Sequence, residues 1–191
     1  MNSLSKVAET ALLVGGRSRR MGGVNKALLT RDGVSVLERT LAFFDRDACF
    51  LVGGSSELYG HLNIRCVPDE IPDKGAPGGV YTALCHASTP WVRILPCDLP
   101  KMDEATLAAL EPDESKDVVL YKVGEQPQYL VSLWRRSCLT RLEAALRSGN
   151  PGFATILDRL NVSWNETACG EPFLNMNTPQ DAAEAGYAKG L

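Results

Sequence analysis

The sequence predicts an α/β fold: a mostly parallel sheet with helices on both faces. Two observations carry this. Short apolar runs stop abruptly at glycine or proline, as buried strands do, and stretches with helical spacing lie between them. Strands alternating with helices give parallel sheets, with right-handed crossovers that gather the strand carboxyl ends along one edge. At 191 residues, 45% of them hydrophobic, the chain is long enough for one sizeable core and short for two. A single domain spanning residues 1–191 is expected, with residues 1–5 loose.

The elements follow in order. Residues 10–14 form an apolar run closed by Gly15-Gly16, a buried strand. Val36, Leu37, Thr40, Leu41 and Phe44 recur at helical spacing. Residues 48–52 and 64–67 read as two strands, stopped by Gly53-Gly54 and by Pro68-Asp69. Val80, Leu84 and Ala87 suggest a helix starting near Gly78 or Gly79, after an irregular stretch rich in proline and glycine. Residues 91–95 form a strand that runs into Pro96-Cys97-Asp98, and residues 104–110 a helix. Residues 118–123 and 128–134 are two strands joined by a turn at Gly124, and residues 138–146 and 154–160 are helices.

Composition excludes several classes. A net charge of −3 gives no support for binding nucleic acid or a membrane surface. No apolar run approaches the length of a membrane span, and no signal-peptide core precedes the first strand. The six cysteines show no Cys-x-x-Cys spacing, so free thiols and a cytoplasmic location are expected.

The strongest motif is the segment from Leu12 to Lys26. Residues 17–31 carry five basic side chains and no acidic one, in a chain that is acidic overall. Glycines in such a loop let backbone N–H groups approach an anion, which suits the phosphates of a nucleotide. It is not a Walker A loop, because Lys26 is followed by Ala27, and it lacks the Gly-x-Gly-x-x-Gly dinucleotide spacing. Asp98 closes an apolar strand, where a carboxylate can hold Mg²⁺ or simply cap the next helix. Asp69 closes another, as a nucleotide contact or a turn residue. Near the C-terminus, Thr178 and Pro179 read as a helix start. Asn175 and Asn177, two apart on an extended strand, would face one way and offer paired amides to a polar heterocycle.

These motifs resemble those of the molybdenum cofactor guanylyltransferase family, a branch of the nucleotidyltransferases. That family's signature reads Leu-Ala-Gly-Gly-x-Ser-x-Arg-Met-Gly-x-x-Lys, and this chain has Val14 in place of the alanine. Cys97-Asp98-Leu99-Pro100 is similar to its Cys-Asp-x-Pro, whose aspartate binds metal, and residues 173–181 are similar to its Phe-x-Asn-x-Asn-Thr-Pro-Glu-Asp. The resemblance implies a three-layer, Rossmann-like nucleotidyltransferase fold, with a nucleotide half over about residues 6–100 and a pterin half over about 101–191. It implies transfer of GMP from GTP to a molybdopterin-type cofactor, with Mg²⁺ as the metal. Lys26, Arg20 and Asp98 would be catalytic, Asp98 holding the metal. Leu13, Val14, Gly15, Gly16, Lys26, Gly54, Asp69 and Asp98 would bind the nucleotide, with the N–H groups of Gly15 and Gly16 cradling phosphates. Gly79, Pro127, Asn175 and Asn177 would face the acceptor. Cofactor-insertion proteins or apo-molybdoenzymes are the partners implied.

Two departures stand out. The family often carries asparagine where this chain has Gly53-Gly54, and Gly75-Ala76-Pro77-Gly78-Gly79 replaces its Gly-Pro-Leu-Ala-Gly. They motivate a non-catalytic cofactor carrier as one alternative; the other is a cytidylyltransferase of the same cofactor, using CTP, since guanine rests on the resemblance of Gly15-Gly16 to guanylyl-transferring members.

Overall fold

The structure, a computed structural model, describes residues 3–15, 25–149 and 152–189. The chain starts with α1 (Ser3–Val7), β1 (Glu9–Leu13), β2 (Leu29–Arg31), β3 (Val34–Ser35) and α2 (Val36–Leu41). There follow β4 (Cys49–Val52), α3 (Ser56–Tyr59), β5 (Arg65–Val67), α4 (Gly75–His86), β6 (Trp91–Pro96) and α5 (Glu104–Ala108). Then come β7 (Val118–Val123), β8 (Gln126–Arg135), α6 (Leu139–Arg147), α7 (Phe153–Leu157), β9 (Val162–Thr167), α8 (Pro179–Glu184) and β10 (Ala188–Lys189).

Seven strands form one sheet in the order β5-β4-β1-β6-β8-β7-β9. The pairs β5–β4, β4–β1, β1–β6 and β7–β9 are parallel, and β8 runs antiparallel between β6 and β7. The mostly parallel sheet is as expected. From β1 the chain steps outward to β4 and β5, then returns to place β6 on the other side of β1. That reversal is a topological switch point, and open α/β sheets bind ligands in the crevice at its carboxyl edge.

Alternating side chains put successive residues on opposite faces of a strand. On β1, Leu12 joins a core with Leu37 and Leu41 of α2 and Leu107 of α5. Ala11 and Leu13 join another, with Val80 and Leu84 of α4 and Leu142 and Leu146 of α6. Helices therefore cover both faces, as the alternation of elements implied. A small antiparallel sheet, β10-β2-β3, lies over a third cluster containing Leu29, Met176 and Tyr187.

Several elements depart from expectation. Residues 3–5, expected to be loose, belong to α1: Leu4 is buried, and the Ser5 hydroxyl accepts the Asp45 N–H at 2.8 Å. Helix α4 begins at Gly75, earlier than Gly78, so Pro77 falls in its first turn, where a missing N–H costs no intrahelical bond. Asn175 and Asn177 lie on no strand; the segment between Phe173 and the α8 cap at Thr178 is irregular.

Candidate active site

A cavity of about 1080 Å³ opens at the carboxyl edge, over the switch point between β1 and β6. Leu13, Val14 and Gly15 from the end of β1 and Val52 from β4 form its floor, with Lys26 beside them. Pro96 through Leu99 follow β6 into it, and Gly75, Ala76 and Gly79 enter from the first turns of α4. Because β8 is antiparallel, it brings its N-terminal part to this edge, where Gln128 to Val131 form a far wall with Phe153 and Asn175.

The ammonium of Lys26 is the focus. Its Nζ donates to Asn177 Oδ1 at 2.8 Å and to Asp98 Oδ2 at 3.3 Å. Both charged side chains are largely withdrawn from solvent, at 16% and 18% exposure. Desolvation pushes the Asp98 carboxyl above its ordinary range, and the neighbouring Lys26 only partly opposes it. The Cys97 thiol is pushed up to about 12, by burial first and by the Asp98 charge second, so it is no nucleophile at neutral pH. Asp69, at the rim beyond β5, is also raised by desolvation.

Local chemistry explains why Lys26 stands there. A single 3₁₀ turn, Lys26–Leu28, is capped by Asn25, whose Oδ1 accepts the Ala27 N–H at 3.1 Å. The Asn25 amide in turn donates to the hydroxyl of buried Tyr59 at 2.7 Å. Asn25 and Tyr59 are supporting residues that sequence reasoning missed. The signal was present for one of them, since asparagine directly before a helical turn is a favoured cap.

The glycines divide by task. Gly15 and Gly53 touch: a Cβ on Gly53 would lie 2.8 Å from the Gly15 Cα, and Gly53 adopts φ +76°. A Cβ on Gly54 would lie 2.8 Å from Val14 Cγ2 and 2.9 Å from the Tyr59 ring. Packing and backbone conformation thus leave no room for a side chain at Gly53 or Gly54 in this chain. Gly79 keeps α4 close to β1, since its Cβ would press on Leu13 at 3.3 Å.

The N–H groups of Val14 and Gly15 both donate to the Val52 carbonyl, at 3.0 and 3.1 Å. The expectation that the Gly15 N–H cradles phosphate is therefore corrected: that donor is committed to the sheet, and what Gly15 supplies is clearance. Gly54 faces Val14 and Tyr59 and does not line the cavity. Pro127 pairs with Lys122 in the β7–β8 ladder, one residue short of the lining that starts at Gln128. Asn175 lines the cavity, whereas Asn177 is turned to Lys26. Gly16 and Arg20 lie outside the described residues. The far wall was not foreseen as a set: Tyr129 stacks on Phe153, centroids 5.2 Å apart and planes 13° apart, beside Gln128. Its residues come together only through the antiparallel turn of β8.

A mostly parallel sheet with a switch-point cavity and a lysine–aspartate pair at its mouth defines the class as a nucleotide-binding α/β protein of nucleotidyltransferase type. The family model described as MobA-like NTP transferase domain matches residues 10–163, and the chain belongs to that family. It is 32% identical to a molybdenum cofactor guanylyltransferase of Pseudomonas aeruginosa, covering 88% of this chain and 89% of that one. Its identity to the molybdenum cofactor guanylyltransferase of Vibrio cholerae is 28%, covering 92% and 89%. Among solved structures, molybdopterin-guanine dinucleotide biosynthesis protein A of Archaeoglobus fulgidus superposes with a TM-score of 0.77. That match is 24% identical and covers 93% of this chain and 96% of that one, which establishes the fold. Among the described residues, no helix is long and apolar enough to cross a membrane.

Proposed function

We propose that this protein transfers GMP from GTP to the phosphate of a molybdopterin-type cofactor, forming the guanine dinucleotide cofactor and pyrophosphate. Its relatives' names support the reaction. The observation that carries it here is the Lys26–Asp98 pair at the switch point of a cavity of about 1080 Å³. That volume is at the upper end of small-molecule pockets and leaves room for a nucleotide beside a second ligand.

The nucleotide would lie over Leu13 to Gly15, with Asp69 at the rim, and the acceptor against the wall of Gly79, Gln128, Tyr129 and Asn175, with Pro127 just behind. An oxygen of the acceptor phosphate attacks the α-phosphorus of GTP as the bond to the β-phosphate oxygen breaks. Lys26, with Arg20, stabilises the negative charge that collects on the leaving pyrophosphate. No covalent enzyme nucleophile is required, which agrees with the high Cys97 pKa.

The chemistry of the donor set fits Mg²⁺. Asp98 supplies a partly buried carboxylate, and Mg²⁺ is commonly held by one or two carboxylates plus substrate phosphates and water. When bound, the ion would offset charge at the α-phosphate. Among the described residues no cluster of three or more His, Cys, Asp or Glu offers an all-protein cage.

The carrier alternative is the less favoured reading, because Lys26 and Asp98, which a pure carrier would not need, stand together at the cavity. The working location would be the cytoplasm, consistent with six free cysteines, and apo-molybdoenzymes or insertion proteins would receive the product. The test is pyrophosphate release from purified protein with Mg²⁺, molybdopterin-type cofactor and either GTP or CTP. Release with GTP alone is expected. Release with CTP alone would reassign the base, and nucleotide binding without release would restore the carrier.

A further inference from the structure

Building on that reaction, we propose that Asp181 is a positioning residue that holds Lys26 in place through Asn177. The first observation is where Asn177 stands. It is exposed and lies in the irregular segment before α8, with no strand ladder to fix it, yet its Oδ1 takes the shorter of the two Lys26 bonds, 2.8 Å against 3.3 Å to Asp98. An amide on such a segment orients a lysine only if its own backbone is held.

Asp181 does the holding. Its Oδ2 accepts the N–H of Asn177 at 2.7 Å and that of Thr178 at 2.8 Å, while the Thr178 hydroxyl accepts the Asp181 N–H at 3.1 Å. The Thr178 bonds are an ordinary capping box. The Asn177 bond is additional: it reaches one residue beyond the cap and fixes the residue that holds Lys26. Both bonds to the carboxylate are charge-assisted, hence stronger than neutral ones, and they keep the Asp181 carboxyl below its ordinary range. Next to it, the Met176 N–H donates to the Asp98 carbonyl at 2.9 Å. One short segment thus braces the backbone of Asp98 and the side chain of Lys26 together.

The consequence is a division of labour. Lys26 is held by Asn177 as well as by Asp98, so the Asp98 carboxylate can turn to another partner while Asn177 keeps the ammonium in place.

The experiment pairs Asp181→Ala with Thr178→Val. Asp181→Ala frees Asn177, whereas Thr178→Val loosens the start of α8 but leaves the Asn177 N–H on Asp181. Two readouts are taken: the kcat and KM split for GTP, and the rate at which an amine-acylating reagent modifies Lys26 in nucleotide-free protein, followed by peptide mass spectrometry. Asp181→Ala is expected to lower kcat about tenfold, since small misplacements of a catalytic group are costly. Its KM is expected to stay within about twofold, as for loss of an interaction made mainly in the transition state. Its Lys26 acylation is expected to speed up several-fold, with Thr178→Val changing both readouts clearly less. Wild-type kcat and acylation in folded Asp181→Ala, or equal losses in both variants, would overturn the proposal. If Asp181→Ala does not fold, Asp181→Asn carries the test. Its weaker neutral acceptor should raise acylation about twofold, and a wild-type rate overturns the proposal. Acylation needs no turnover, so failure of guanylyl transfer in the wild type would be seen separately.

Discussion

Asp98 and Asp117 are both largely buried aspartates, each beside one cation, yet their surroundings are opposite. Asp117, just before β7, is 7% exposed. Its carboxylate accepts both terminal nitrogens of Arg141, one at 2.9 Å, and the Asn161 N–H at 2.9 Å. Its backbone is paired as well, with the Asn161 carbonyl and the Arg135 N–H, both at 2.8 Å. The Arg141 bonds hold the Asp117 carboxyl below the usual carboxylate range. The backbone of Asp98 is paired too, its carbonyl with the Met176 N–H at 2.9 Å, but its carboxylate has a longer side-chain contact, 3.3 Å to a lysine that is shared with Asn177, and burial pushes that carboxyl up. Asp117 has its hydrogen-bonding capacity met within the fold, whereas the Asp98 carboxylate is less fully paired, as the proposed role of holding a ligand requires.

The largest effect that would break this contrast is on turnover. Asp98→Ala and Lys26→Ala are each expected to lower kcat by about 10²–10³, the usual cost of losing a charged transition-state contact. The melting temperature of Asp98→Ala should stay near wild type, since a desolvated carboxylate with one long ion-pair contact contributes little net stability. Steady-state kinetics with calorimetry on the same samples checks both.

Asp117→Ala is expected to show the reverse: a stability loss of about 2–3 kcal/mol, typical of hydrogen bonds to a charged group, with the folded fraction turning over normally. Urea unfolding measures the loss. The pH dependence sharpens the point. Because the folded-state pKa of Asp117 lies below its unfolded value, the unfolded chain binds more protons between the two. Its stabilising contribution is therefore complete above the unfolded value, about pH 4, and is lost as pH falls through the folded value. Asp117→Asn should flatten that acid limb of the stability curve.

The smallest effect concerns the support of Lys26. Tyr59→Phe removes the acceptor of the Asn25 amide and should cost about 1 kcal/mol of stability, together with a several-fold fall in kcat. An unchanged kcat would show that Asn25 caps the turn before Lys26 without support from Tyr59.

How far the sequence reached follows the same division. Strand positions were legible because buried parallel strands are short apolar runs with abrupt stops, and residues 118–123 are found as expected. Strand β9 was not foreseen: it lies at the sheet edge and alternates Ser163, Trp164, Asn165 and Glu166, so no apolar run marks it. Lys26, Asp98 and Asp69 were legible as charged residues in motifs at strand ends, and all three line the cavity. Tyr129 and Phe153 were not, because their stacking depends on how β8 and α7 meet. The turn of Asn177 toward Lys26 was hidden too, since a two-residue spacing suggests a shared direction only on a strand.

The most direct test of the contrast measures kcat for GTP-dependent pyrophosphate release and the unfolding midpoint in matched samples of Asp98→Asn and Asp117→Asn. The expected result is a crossed pattern: Asp98→Asn loses turnover and keeps its midpoint, while Asp117→Asn keeps turnover and loses midpoint. A folded Asp98→Asn protein turning over at the wild-type rate would contradict the assignment of Asp98 and Lys26 as the centre of the reaction.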